Sequence, residues 1–282
     1  MRVSITITDY SWPGGSAALG GQLVDVARAA DDAGLDTVWV ADHLLQADPT
    51  STPDAEMLEA YAVLGFLAGR TERVRLGTMV TASTYRPPAL LVKAVTTLDV
   101  LSGGRAWLGV GAGYQEDEAR AMDLPLPPVP ERFDRLEDLL RLAKQMWAGD
   151  ASPFAGIHAR LERPVGNPLP VSRPHPPILI GGTGERRTLP LVVKYADACN
   201  VFDIPDGGAT VRRKLEVLAR LCADAGRPYG EIEKTLSTRV TAGEPPRELA
   251  RRAEDLGIDH LVVLSAGPWT PRSVAVLSSI RR

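Results

Sequence analysis

Short apolar runs alternate along this chain with longer segments whose apolar residues recur at helical spacing. VSITITD (3–9) alternates apolar and polar positions, and LGGQLVDVARAADDAG (19–34) follows it, with Leu23, Val26, Ala27 and Ala30 on one helical face and Gly34 as the stop. The strand DTVWVA (36–41), the helix EMLEAYAVLGFLAGRT (56–71) and the strand VRLGTMV (74–80) come next. A helix over 88–104 ends in two glycines before the strand RAWLGVGAG (105–113), and an amphipathic helix covers 131–149. Beyond a proline-rich stretch, strands are predicted at 176–182, 198–203, 234–242 and 260–267. Helices are predicted up to Tyr195, over 211–226, over 246–257, and from Pro271.

That order is eight strands alternating with eight helices. Strands separated by helices pair in parallel through right-handed crossovers. Eight such units at this length predict a closed (β/α)8 TIM barrel of the α/β class. The competing arrangement is an open doubly wound sheet, but the first strand is not followed by the G-x-G-x-x-G that such folds use for dinucleotides. No boundary divides the chain, so a single domain over 1–282 is expected. The irregular segment at about 150–176 reads as an excursion on the barrel that could hold a small hairpin.

Composition narrows the classes. The chain has 282 residues, 44% hydrophobic and 24% charged, which suits a large core. A net charge of -3 gives no support to a nucleic-acid partner or an anionic membrane. The N-terminus MRVSITITDY carries no basic segment followed by an apolar one, and no apolar run approaches the length of a bilayer. Cys199 and Cys222 lack CxxC spacing and read as buried thiols of a reducing compartment, so the cytoplasm is the expected location. The four histidines, His43, His158, His175 and His260, show no metal-ligand spacing.

A barrel of this kind carries its chemistry at the C-terminal ends of its strands. The second strand ends in Asp42 and His43, and His is the side chain most easily poised for proton transfer near neutral pH. The third ends at Met79-Val80-Thr81, and the fourth at Ala112-Gly113-Tyr114. The fifth ends at Gly181-Gly182-Thr183-Gly184, read as lying directly before a helix with Arg186 and Arg187 close by. Glycines there permit close backbone approach, and a helix N-terminus favours an anion; the turn is a phosphate cradle or a tight turn with surface arginines. Tyr85 and Arg86 seat a ligand or brace the rim, Glu59 could point into the mouth, and Glu116 and Glu118 read as exposed acids at a helix start.

Taken together, DTVWVADH, the segment from TERVRLGTMV to WLGVGAGY, and PPILIGGTGERRTLPLVVKYADACN resemble the luciferase-like flavin and deazaflavin oxidoreductases. Within them they are most similar to the coenzyme F420-dependent branch common in actinobacteria. The resemblance covers nearly the whole chain and implies a TIM barrel with the cofactor ring at its mouth. It implies a non-prolyl cis peptide at Met79-Val80 against the ring, with Thr81 beside it. It implies cofactor contacts from Asp42, Ala112, Gly113 and Tyr114, His43 facing the reacting centre, and the Gly181–Gly184 turn with Arg186 at the cofactor phosphate. One departure stands out: the F420-dependent sugar-phosphate dehydrogenases carry a catalytic Glu just after the fourth strand's Gly, where this chain has Tyr114. A glucose-6-phosphate dehydrogenase is therefore not expected.

The reaction implied is hydride transfer between C5 of F420 and a small organic substrate, with His43 handling the companion proton. The alternatives are a two-component monooxygenase using FMN from a partner reductase, and an inactive flavin-binding barrel. A homodimer is frequent in the family. The mouth residues Trp12, Tyr85, Tyr114 and Phe154 favour a fairly apolar substrate.

Overall fold

The computed structural model describes residues 1–48, 51–240 and 245–281. Its strands are β1 (Arg2–Ile7), β2 (Thr37–Val40), β3 (Arg75–Thr78), β4 (Thr81–Ala82) and β5 (Leu108–Gly111). They continue with β6 (Phe154–Ala155), β7 (Arg160–Leu161), β8 (Ile178–Gly181), β9 (Ala198–Phe202), β10 (Glu233–Arg239) and β11 (His260–Leu264). The helices are α1 (Ser16–Asp32), α2 (Ala60–Ala68), α3 (Pro88–Ser102), α4 (Glu116–Ala121), α5 (Val129–Trp147), α6 (Thr188–Tyr195), α7 (Ala209–Asp224), α8 (Pro246–Asp255) and α9 (Pro271–Val276).

All pairings in the main sheet are parallel, in the order β3-β2-β1-β11-β10-β9-β8-β5-β4. The ends meet: Leu76 of β3 bridges Ala106, its N–H donating to Arg105 O at 2.8 Å and its carbonyl accepting from Trp107 N at 2.9 Å. β3 and β4 are two pieces of one barrel strand, separated by the cis peptide Met79–Val80. The barrel therefore has eight staves, the number the alternation predicts.

Apolar strands bury both faces because each faces a different core. Val3, Ile5, Ile7, Val38 and Val40 pack outward with the helices. Trp39, Trp107, Leu179, Ala198 and Val262 form a separate cluster inside the barrel. The two indoles lie 5.5 Å apart and fill its waist. Gly77 makes room for them, since a Cβ there would stand 2.7 Å from Trp39 Cζ3 and 2.8 Å from Trp107 Cβ. Below the indoles the interior turns polar. Buried His260 meets Ser4 Oγ through Nε2 at 2.5 Å and Glu233 Oε1 through Nδ1 at 2.7 Å, and Arg2 pairs with Glu233 at 2.9 Å. This histidine is a part of the barrel floor.

The excursion does hold a hairpin, β6 against β7. Two buried carboxylates on helices pin the segment down. Asp138 of α5 accepts the N–H groups of Ile157, His158 and Ala159, and Asp99 of α3 accepts those of Val171 and Ser172.

Some expected boundaries shift. Helix α2 starts at Ala60, capped by Glu59, rather than at 56; residues 56–59 before it have no regular structure. The fourth stave is regular only over Leu108–Gly111, and the helix start read at Glu116 and Glu118 is the short helix α4. Strand β10 ends at Arg239, and residues 241–242 of the expected strand lie outside the described residues. Among the described residues, no helix is long and apolar enough to cross a membrane, and no group of His, Cys, Asp or Glu is placed to hold a metal ion. Both cysteines are buried free thiols.

The waist supplies a stability test. Gly77→Ala forces an indole or its stave to move, and overpacking of this kind costs about 1–3 kcal/mol. A lowered urea midpoint with an unchanged slope is expected; an unchanged midpoint would show that the waist has slack.

Candidate active site

Two adjoining cavities open at the C-terminal ends of the staves, of about 270 Å³ and 310 Å³. His43, Met79, Tyr114 and Phe202 line both and so form the wall between them.

The first cavity is shaped by absent side chains. Val80, turned inward after the cis bond, sits against two strand-end glycines. A Cβ on Gly181 would lie 2.9 Å from its Cγ2, and one on Gly111 would lie 3.1 Å away. Gly113 and Gly182 have φ of +83° and +108°, a region glycine enters without steric cost. The result is a slot with bare backbone on its walls. Asp42, Ala112, Gly113, Tyr114, Gly181 and Gly182 all line it, so the ends of the second, fourth and fifth staves meet at one space.

Two sequence expectations change here. The Gly181–Gly184 turn does not run directly into a helix: α6 begins only at Thr188, because residues 185–187 make an intervening turn. Gly181, Gly182 and Thr188 reach the slot, whereas Thr183, Gly184 and Arg186 stand outside its lining and Arg186 is exposed. Thr81 does not line it either. Its hydroxyl donates to Asp42 Oδ2 at 2.7 Å and lies 3.1 Å from Tyr61 Oη.

Asp42 is buried and fully engaged. Arg86 grips both of its oxygens, at 2.5 Å and 2.9 Å, and also pairs with Glu59 at 2.5 Å. Arg86 thus braces the rim, stacked over the Tyr61 ring at 4.9 Å, and Glu59 serves as helix cap and rim partner at once. Burial alone would lower the Arg86 pKa, but its bonds to Asp42 and Glu59 raise it, and it stays charged.

Glu118 is the residue that sequence reasoning misplaced. It is 3% exposed, whereas it was expected to be a surface acid. One oxygen accepts the N–H groups of Leu44 at 2.5 Å and Leu45 at 3.1 Å; the other accepts from His43 Nδ1 at 2.7 Å and from Tyr85 Oη at 2.5 Å. Burial pushes this carboxyl up, but the bonds from His43, Tyr85 and Leu45 outweigh it and hold its pKa at about 2. A carboxylate can only accept, so His43 must donate through Nδ1. In the neutral ring Nε2 is then the bare, basic nitrogen. Burial and the same Glu118 bond push the Tyr85 hydroxyl far up, so it stays protonated. Tyr114 meets the imidazole edge-on at 6.0 Å. Four residues beyond Tyr114, Glu118 is bonded to the strand-two histidine. Only Glu118's place in the loop after a barrel strand could have marked it.

A (β/α)8 barrel with a glycine-walled slot and a carboxylate-oriented imidazole at its mouth has the form of a small-molecule enzyme site. The chain belongs to the luciferase-like monooxygenase family, which it matches over residues 1–262. An F420-dependent glucose-6-phosphate dehydrogenase of Kineococcus radiotolerans is 32% identical over 237 residues, 81% of this chain and 66% of that one. The chain spans 50% to 67% of the length of the curated relatives it resembles. Among solved structures, an F420-dependent secondary alcohol dehydrogenase in complex with an F420–acetone adduct superposes with a TM-score of 0.81. The two share 17% identity over 99% of this chain and 97% of that one. The monooxygenase RslO1 from Streptomyces bottropensis superposes with a TM-score of 0.79 at 18% identity, covering 99% and 97%. These two likenesses speak to the fold.

The Glu118 cluster carries a pH signature. Its folded pKa of about 2 lies below the ordinary 4.5, so its stabilisation is complete above pH 4.5 and is lost as pH falls through 2. That gap corresponds to roughly 3 kcal/mol. Acid titrations followed by circular dichroism should show Glu118→Gln less stable than the parent at pH 7. The two should converge toward pH 2, whereas parallel curves would contradict the depressed pKa.

Proposed function

We propose that this chain is an F420-dependent oxidoreductase that moves a hydride between deazaflavin C5 and a small organic substrate. One observation carries the reading: His43, oriented by Glu118, stands in the wall shared by two cavities, each of molecular size. The glycine-walled slot fits a flat ring system, since any side chain at Gly111 or Gly181 would close on Val80. Val80, Ala112, Gly113 and the Gly181–Gly182 backbone would hold the ring. Asp42 would keep its edge in place together with Arg86, and Thr183, Gly184 and Arg186 would take the phosphate outside the slot. The named F420-dependent relatives support this choice of cofactor.

When bound, F420 supplies or receives the hydride. The chain's own task is the proton. For an alcohol substrate, the neutral His43 ring takes the hydroxyl proton at Nε2 as the carbon gives up hydride. In the reverse direction, protonated His43 returns it to the carbonyl oxygen. Glu118 stays ionised throughout and stabilises the imidazolium, while Tyr85 holds Glu118 in place. The reading places the reaction in the cytoplasm. It requires neither a homodimer nor a separate reductase, although both are compatible with it.

Titration with F420 and with FMN, followed by fluorescence, tests the cofactor; tight FMN binding without F420 binding would turn the assignment to a two-component monooxygenase. His43→Ala should cut kcat by about 10²–10⁴-fold while leaving F420 affinity near that of the parent. Asp42→Ala should weaken F420 binding instead. An unchanged kcat in His43→Ala would remove the proton role.

A further inference from the structure

The second cavity holds an unusual balance of groups. Its walls are largely apolar, with Ala41, Met57, Met79, Leu264, Phe202 and Tyr114. Among the described residues lining it, the one permanent cation is Arg239. Both oxygens of Asp48 accept from Arg239 Nη2, at 3.1 Å and 2.9 Å, and Ser265 O accepts from Nη1 at 2.5 Å. Asp48 itself is 4% exposed at its side chain and also accepts from the Thr8 hydroxyl at 2.9 Å. The cavity's other acid, Asp203, pairs with Arg252 at 3.0 Å and accepts from Thr238 at 2.8 Å. Gln46 is spent on the Thr8 carbonyl and the Asp48 N–H. Among the described residues lining this space, Asp48, Asp203 and Arg239 are each held in an ion pair within the protein.

We propose that the second cavity is the site of an uncharged organic substrate. The Asp48–Arg239 pair is the device that denies the site to anions such as sugar phosphates. An arginine already clamped by a buried carboxylate offers a phosphate or carboxylate no net attraction. Admitting the anion would either break that pair or leave a second negative charge beside Asp48. This inference rests on the oxidoreductase reading only in calling the occupant a substrate. The pairing of charges stands independently of any turnover.

The test uses three molecules of one shape: cyclohexanol, cyclohexanecarboxylate and cyclohexylammonium, with binding to the full chain read by calorimetry and no cofactor added. The parent protein should prefer cyclohexanol to both ions. Asp48→Asn, which leaves Arg239 unpaired, should gain affinity for the carboxylate by about tenfold. Should that variant fail to fold, Arg239→Gln decides: it removes the cation paired with Asp48 and should bring a similar gain for the ammonium ion. A parent that does not discriminate among the three, or charge variants that leave the order unchanged, would overturn the proposal. Because turnover is not measured, a failed hydride-transfer assay and a failed binding test cannot be mistaken for each other.

Discussion

A single buried carboxylate organises the mouth of this barrel. Glu118 gathers two backbone N–H groups, a phenol and an imidazole, from the loops after the second and third strands. Removing it would leave four donors facing a low-dielectric space. Its position comes from α4, a helix of only six residues that packs one face onto the barrel rim. Everything chemical about His43, from its tautomer to the nitrogen it presents, follows from that one acceptor.

The remainder of the site is built from what is left out. Glycines at the ends of the fourth and fifth strands let Val80 come close, and the space over them is a slot. On the other side of His43, the charges are matched in pairs, and the walls are apolar.

Much of this was legible in the sequence for a physical reason: strand and helix periods differ, and barrel strands bury both faces. The alternation therefore reported eight units, and the strand-end rule singled out Asp42 and His43. The cis bond at Met79–Val80 was reachable only through family resemblance. Glu118 was hidden because a six-residue helix is too short to show a face, and three acids in its first turn look like partners for the helix dipole. The Asp42–Arg86 and Asp48–Arg239 clamps join residues 44 and 191 positions apart, a separation over which no local pattern carries information. The late start of α6 was missed because the glycine turn resembles a helix cap.

The floor of the barrel has a last consequence. Two tilted indoles, with the Ser4–His260–Glu233–Arg2 chain beneath them, stopper the end opposite the mouth. The chamber is a blind well rather than a tunnel, so whatever enters must leave by the same door.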